Sequence, residues 1–275
     1  MKTNFHIHTV NCHGKNTIEE TALKAIDLGF TDIGFSCHAM LCQLVSDWHM
    51  KEYEIQAYCD VVHATQKKFG DKINIQLGFE VDYIPGLSLP SFDDYRKFKP
   101  DYLIGSVHYI YTPKGTFPVD DSVEILKDGI NRCFNGDIRK CVQRYFELER
   151  EMLQKGKFSI IGHCDLIRKL NKDNLFFDEN ENWYKKELVL TSQEIRKAGV
   201  IAEINTGAIA RGFMTDPYPS DYFMQLLYNL NVPVTIDGDS HGNEQLNCAF
   251  DLAEGKAKKA GYTAYQIPGG KIIEL

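Results

Sequence analysis

The sequence has no long apolar run. Its most apolar stretches, such as "GVIAEI" and "FSIIG", are strand-sized and far short of the roughly 20 residues that a membrane-spanning helix requires. It has no C-x-x-C pair, which argues against a thiolate zinc site. The N-terminal stretch holds one Lys followed by polar residues and histidines, so no signal peptide is expected. Eight cysteines in 275 residues are therefore expected to be reduced thiols of a cytoplasmic protein rather than a disulfide framework. There is no dense Lys/Arg stripe, and the net charge is −7, which argues against a nucleic-acid partner. No Ser/Gly/Pro-rich linker, low-complexity tract or obvious repeat interrupts the chain, so residues 1–275 are read as a single domain.

What is present is alternation. Short β-rich runs at residues 4–8, 32–37, 73–81, 102–108, 158–163, 200–205 and 232–237 are separated by segments with helical spacing, among them "TIEETALKAIDLG", "EIQAYCDVVHATQKKFG" and "YKKELVLTSQEIRKAG". Repeated strand–helix alternation implies parallel strands with outer helices. Seven strands without a Gly-x-Gly-x-x-Gly turn favour an α/β barrel over a dinucleotide-binding open sheet. The tail "YQIPGGKIIEL" is expected to add a short edge strand or to pack against the barrel's bottom.

The histidines are the unusual feature. Three of the nine lie in "MKTNFHIHTVNCHG". His6 and His8, two apart on a strand, point to one face at a Cα spacing of roughly 6.5 to 7 Å. His38 follows strand two in "GFSCHA", Glu80 closes strand three in "LGFEVDY", His108 closes "LIGSVHYI", and His163 closes "IIGHCD". Asp237, Asp239 and His241 share one parity in "VTIDGDSHG". In a parallel barrel these positions converge on one mouth. Crowding so many titratable groups into one pocket costs several kcal/mol unless something neutralises them, and divalent metals do so. His63, inside a helical run, reads as an ordinary helix-surface residue, and His49 as a substrate contact at the mouth.

"FHIHTVNCHG", "GFSCHA", "GFEVDY", "GSVHYI", "GHCD" and "DGDSHG" resemble the successive motifs of the polymerase-and-histidinol-phosphatase (PHP) family, and within it the histidinol-phosphatase type. The motifs run from residue 6 to residue 241, nearly the whole chain. The resemblance implies a distorted (β/α)7 TIM-like barrel with three divalent ions (Zn, Mn or Fe) at the C-terminal ends of the strands. Position by position, it implies one ion on His6, His8, Glu80 and Asp239, and a second on Glu80, His108 and His163. The third is implied on His13, His38 and His241; many family members have Asp at the His13 position.

Such a site suits hydrolysis of a phosphate monoester. Two cations sharing a water lower its pKa from about 16 towards neutrality, giving a hydroxide able to attack phosphorus, and a third spreads the charge that develops there. Glu80, Asp239, His241 and Asp165 are the expected catalytic groups, with Asp165 orienting His163 or donating a proton. Arg168 and Arg211, each after a strand end, are expected to bind phosphate oxygens, and Asp237 is expected behind the metal ligands or in the core. The implied substrate is a small molecule, L-histidinol phosphate of histidine biosynthesis. The rivals are another small ester or nucleotide, an amidohydrolase-type barrel, and a catalytically silent metal-binding module. The third ligand set argues against the amidohydrolase, and the completeness of the nine ligand positions against a decayed site.

Overall fold

The computed structural model describes residues 1–41 and 48–275. The chain begins with β1 (Lys2–Asn4), α1 (Ile18–Asp27), β2 (Phe30–Phe35), α2 (Glu52–Phe69), β3 (Asn74–Asp82) and the single turn α3 (Phe92–Tyr95). It continues through β4 (Tyr102–Ser106), a hairpin of β5 (Tyr109–Thr112) and β6 (Gly115–Pro118), α4 (Val123–Phe134), α5 (Ile138–Lys155) and β7 (Ile160–Ile161). The last third holds α6 (Asn182–Ala198), β8 (Ile201–Asn205), the short α7 (Gly207–Ala210), α8 (Asp221–Asn229), β9 (Val234–Asp237), α9 (Phe250–Ala260), β10 (Ala264–Gln266) and β11 (Ile272–Glu274).

Seven strands pair in the order β1-β2-β3-β4-β7-β8-β9, every neighbour parallel. The sheet curls until its two edges meet. Beyond the regular ladders, Ile7 and Ser240 form a parallel bridge, in which His8 N donates to Ser240 O at 2.9 Å and Ser240 N to His6 O at 3.0 Å. The result is a nearly closed (β/α)7 barrel with its helices outside. Local signals start the helices: Thr17 and Glu20 form a reciprocal capping box at α1, and the side chains of Ser122, Asp137 and Ser220 cap α4, α5 and α8.

Parity fills the barrel. Tyr102 lies where β2 and β3 carry Gly34 and Gly78: a Cβ at either would come within 2.4 Å or 2.3 Å of the Tyr102 side chain, and the Tyr102 hydroxyl donates to Phe5 O at 2.7 Å. Two and four residues further along β3 and β4, on the same faces, the inward residues are polar: Glu80 and Asp82, and Ser106 beyond Ile104. The interior thus changes from apolar at the bottom to ionisable at the mouth.

Some elements differ from the sequence reading. The regular part of β1 ends at Asn4, because residues 5–8 are held partly by side chains. Ile7 N donates to Ser36 Oγ at 3.1 Å, and Ser36 N to Ile7 O at 3.0 Å. The β5–β6 hairpin and α4 are an insertion after β4 that the strand list did not contain. The C-terminal tail forms its own antiparallel hairpin, β10–β11, and packs under the barrel, where Tyr265 meets Thr3 at 3.2 Å and Lys271 pairs with Asp32 at 2.8 Å. His63 lies exposed on α2. Among the described residues, no helix is long and apolar enough to cross a membrane.

Candidate metal centre

The strand ends deliver the expected residues to one point, and Glu80 is its pivot. The Glu80 carboxylate is buried, with its two oxygens turned to opposite sides. Oε2 faces His6 Nε2 (3.0 Å), His38 Nδ1 (3.1 Å) and His8 Nε2 (3.3 Å). Oε1 faces His163 Nε2 (3.1 Å) and His108 Nε2 (3.5 Å) and accepts from Ser106 Oγ at 2.7 Å. Asp239 Oδ1 lies 3.3 Å from His8 Nε2 and 3.8 Å from His6 Nε2. His13 and His241 complete the cluster, Nε2 to Nε2 at 2.7 Å. All nine residues thus converge.

Their donor atoms fall into groups lying within 4.8 Å: His6, His8 and Glu80; Glu80, His108 and His163; and His8, His13, His38 and His241. A fourth grouping, His38, Asp82 and His108, has the same compactness. In it, however, both Asp82 oxygens already serve neighbours, Oδ2 at 2.7 Å from His49 Nε2 and Oδ1 at 2.8 Å from His108 Nδ1.

Buried partners set which ring nitrogen faces inward. His6 Nδ1 is 2.6 Å from Glu203 Oε1, and a proton held there leaves the Nε2 lone pair pointing at Glu80 and Asp239. Asp82 does the same for His108. His241 Nδ1 lies between the Asp239 carbonyl at 2.9 Å and Arg211 Nη1 at 3.0 Å, and its Nε2 faces His13. His8 Nδ1 meets Cys12 Sγ at 3.4 Å.

Electrostatics reinforce the picture. Burial opposes charge at His6, His8, His38, His108, His241, Glu80 and Asp239. Glu203, Glu80 and Asp239 nonetheless hold His6 well above the usual histidine range, and Asp82 and Glu80 raise His108 to about 9. The surrounding imidazoles hold Glu80 well below the carboxylate range, and Arg211 and His6 do so for Asp239. His38 and His241 go the other way, lowered by burial and by neighbouring histidines. Asp237 is raised to about 7 by burial and by Glu203. It accepts from Phe5 N and stays in the core.

Four inward atoms, His6 Nε2, His8 Nε2, His38 Nδ1 and Glu80 Oε2, are buried without a hydrogen bond. Each such atom costs about 1–3 kcal/mol when nothing satisfies it. Imidazole nitrogens with carboxylate oxygens are the donor set of divalent transition metals. The residues fit divalent metal ions.

The substrate-side residues are distributed differently. A cavity of about 880 Å³ opens over the cluster, with Arg211 in its wall. Arg211 donates to Asp239 Oδ2 and to the Asp239 carbonyl, each at 2.8 Å. Arg168 does not line this cavity: it is buried against Glu179 (2.7 Å), Asp216 (3.2 Å) and Asp165 (3.5 Å). Lys169, which the sequence reading passed over, faces the cavity instead. Asp165 accepts from Ser220 N at 2.8 Å, whereas His163 Nδ1 has no hydrogen-bond partner, so Asp165 does not orient that ring. His49 is turned onto Asp82 rather than into the cavity. Cys164 is fully buried, its thiol pushed up by burial.

A parallel barrel carrying such a cluster at its mouth defines a class, and residues 4–207 match the PHP domain model. The chain belongs to the PHP domain family. It is 28% identical over 268 residues to a Schizosaccharomyces pombe protein named "probable histidinol-phosphatase", covering 92% of this chain and 84% of that one. It is 24% identical over 267 residues to the histidinol-phosphatase of Bacillus subtilis, covering 91% and 97%. Among solved structures, it superposes on the histidinol phosphate phosphatase of Lactococcus lactis, complexed with zinc, L-histidinol and phosphate. There the TM-score is 0.75 at 19% identity, covering 99% of both chains.

Proposed function

We propose that this chain is a metal-dependent phosphomonoesterase that hydrolyses L-histidinol phosphate to L-histidinol and phosphate. The observation that carries the reading is the two-sided placement of Glu80, one oxygen towards His6, His8 and His38 and the other towards His108 and His163. A carboxylate so placed is able to bridge two ions. The first would rest on His6, His8, Glu80 and Asp239, the second on Glu80, His108 and His163, and a third on His13, His38 and His241, with Zn, Mn and Fe all suited to these donors. When bound, such ions supply Lewis acidity and lower the pKa of water towards neutrality.

The chain's own groups do the rest. Glu203 and Asp82 keep protons on the outer nitrogens of His6 and His108, so that the inner nitrogens stay basic. Arg211 fixes Asp239 by two contacts and, from the cavity wall, offers cationic charge to phosphoryl oxygens. Lys169, 9% exposed at its side chain, adds a second cation on the same cavity. The relatives named above support the substrate.

The experiment is phosphate release from L-histidinol phosphate beside an aryl phosphate and a nucleoside monophosphate, with Mn or Zn supplied. Preference for histidinol phosphate, lost with EDTA, is expected. Equal turnover of all three overturns the substrate, and no release overturns the activity.

A further inference from the structure

We propose that Asp120, with the ring face of Trp48 and Tyr109, selects the alcohol half of the ester by its positive charge and flat ring. The inference deepens the phosphomonoesterase reading and rests on it.

The cavity is far larger than a phosphoryl group requires, and its two ends differ. The inner end is the histidine cluster with Arg211. The outer wall holds the Trp48 and Tyr109 rings, stacked with centroids 5.5 Å apart and planes at 26°. The Trp48 ring is also 5.3 Å from the His108 ring, so this aromatic face begins next to the proposed metal ligands. Asp120 flanks His108 as well, because Val119 N donates to the His108 carbonyl at 2.9 Å and fixes the segment after β6 against it.

A carboxylate beside a phosphate site repels a dianionic substrate unless it answers a cation. Lys169 answers one oxygen only: its Nζ lies 2.8 Å from Asp120 Oδ2 and 4.8 Å from the centre of the Phe213 ring. Among the described residues, Oδ1 accepts no hydrogen bond. The Lys169 ammonium pairs with it as a carboxylate, so Asp120 faces the cavity as an anion with one oxygen still to be answered. An ammonium group on the leaving alcohol would complete the second oxygen, and a planar ring would lie against Trp48. The ligand class is a phosphorylated amino alcohol bearing an aromatic ring.

The test compares phosphate release from L-histidinol phosphate, its analogue lacking the amino group, and an aryl phosphate. The proteins are the wild type, Asp120→Asn and Lys169→Met, with metal content measured in each. A charge-assisted hydrogen bond predicts that Asp120→Asn lowers kcat/KM for the amine-bearing ester about 10- to 100-fold more than for the amine-free one, chiefly through KM. Lys169→Met leaves Asp120 answered only by the substrate's ammonium, so it lowers kcat/KM more for the amine-free esters than for the amine-bearing one. An equal loss on all esters in Asp120→Asn makes Asp120 a mere support for Lys169 and overturns the inference. The wild type decides independently of any folding defect in the variants. If it handles amine-free and amine-bearing esters equally, the ammonium is not recognised and the inference falls while the phosphatase stands. If it releases phosphate from none, both fall together.

Discussion

Glu203→Gln is the sharpest test of how the site is built. Glu203 is fully buried on β8, and three groups depend on it: His6 Nδ1 at 2.6 Å, His163 N at 2.8 Å and the Asn205 amide at 2.9 Å. All three are donors to a carboxylate. Glutamine keeps the volume but has one accepting end. With its oxygen towards His163 and Asn205, two hydrogen bonds survive and its NH2 faces His6. The Nδ1 atom must then accept, the ring proton moves to Nε2, and the atom aimed at Glu80 and Asp239 loses its lone pair. The flipped amide keeps the His6 contact but sets an NH2 against two donors, which is worse. Removing such an outer partner costs roughly 10- to 100-fold in metal affinity or activity, equivalent to about 1.4–2.7 kcal/mol. Chelator competition should show faster metal loss, kcat/KM should fall by a similar factor, and excess metal should restore part of it, with the far-UV spectrum unchanged. Wild-type metal retention together with wild-type turnover would refute the assignment of Glu203 as the group that sets the His6 tautomer.

Glu80→Ala should lower metal content by more than one ion per chain and cut turnover beyond the roughly 100-fold limit of an outer partner, while the barrel stays folded; full metal occupancy with activity retained sinks the bridging role. Arg168→Met leaves Asp165, Glu179 and Asp216 without their shared cation. Its expected effect is a stability loss of about 3–5 kcal/mol, read by denaturant unfolding, with KM for the ester little changed; a raised KM at unchanged stability would return Arg168 to phosphate binding. In chelator-treated protein, His6 is held well above its ordinary range and His108 near 9, so both rings are protonated at neutral pH. Metal must displace those protons, so apparent affinity should rise with pH up to about 9, with net proton release on metal addition. Titration calorimetry in two buffers of different ionisation enthalpy checks this, and binding without proton release contradicts it.

The ligands were legible because strands obey a period of two. "FHIH", "FEVD" and "IDGDSH" each place ionisable side chains on the face that must point into a barrel, where an apolar residue would cost nothing and an unsatisfied charge would cost much. The same rule carried a signal that went unread: Glu203 interrupts "VIAEIN" and Asp82 shares the parity of Glu80. Each is therefore inward, and each proves to hold a histidine. Arg168 shows where the rule stops. It sits on the 3-10 turn Leu166–Arg168, where successive side chains diverge by about a third of a turn. One residue decides between the cavity and the protein interior. Arg168 turns back to three acids and Lys169 takes the cavity, a choice made by packing rather than spacing.

This division follows the axis of the barrel. The inner end of the cavity is made by strand termini, where parity fixes direction and the chemistry follows from residue type. The outer end is made by segments that arrive from elsewhere: Trp48 from the connection before α2, Tyr109 from the hairpin inserted after β4 and Asp120 from the segment just beyond it, Phe213 from beyond α7. No period governs those segments, because their backbones are satisfied one bond at a time, as when Val119 N finds the His108 carbonyl. A barrel of this kind therefore displays its reaction class in its sequence and conceals its preference among substrates. The two are also separable by mutation: changes at Glu80 or Glu203 should act on every ester through the metals, whereas changes at Asp120 should act according to what the leaving alcohol carries.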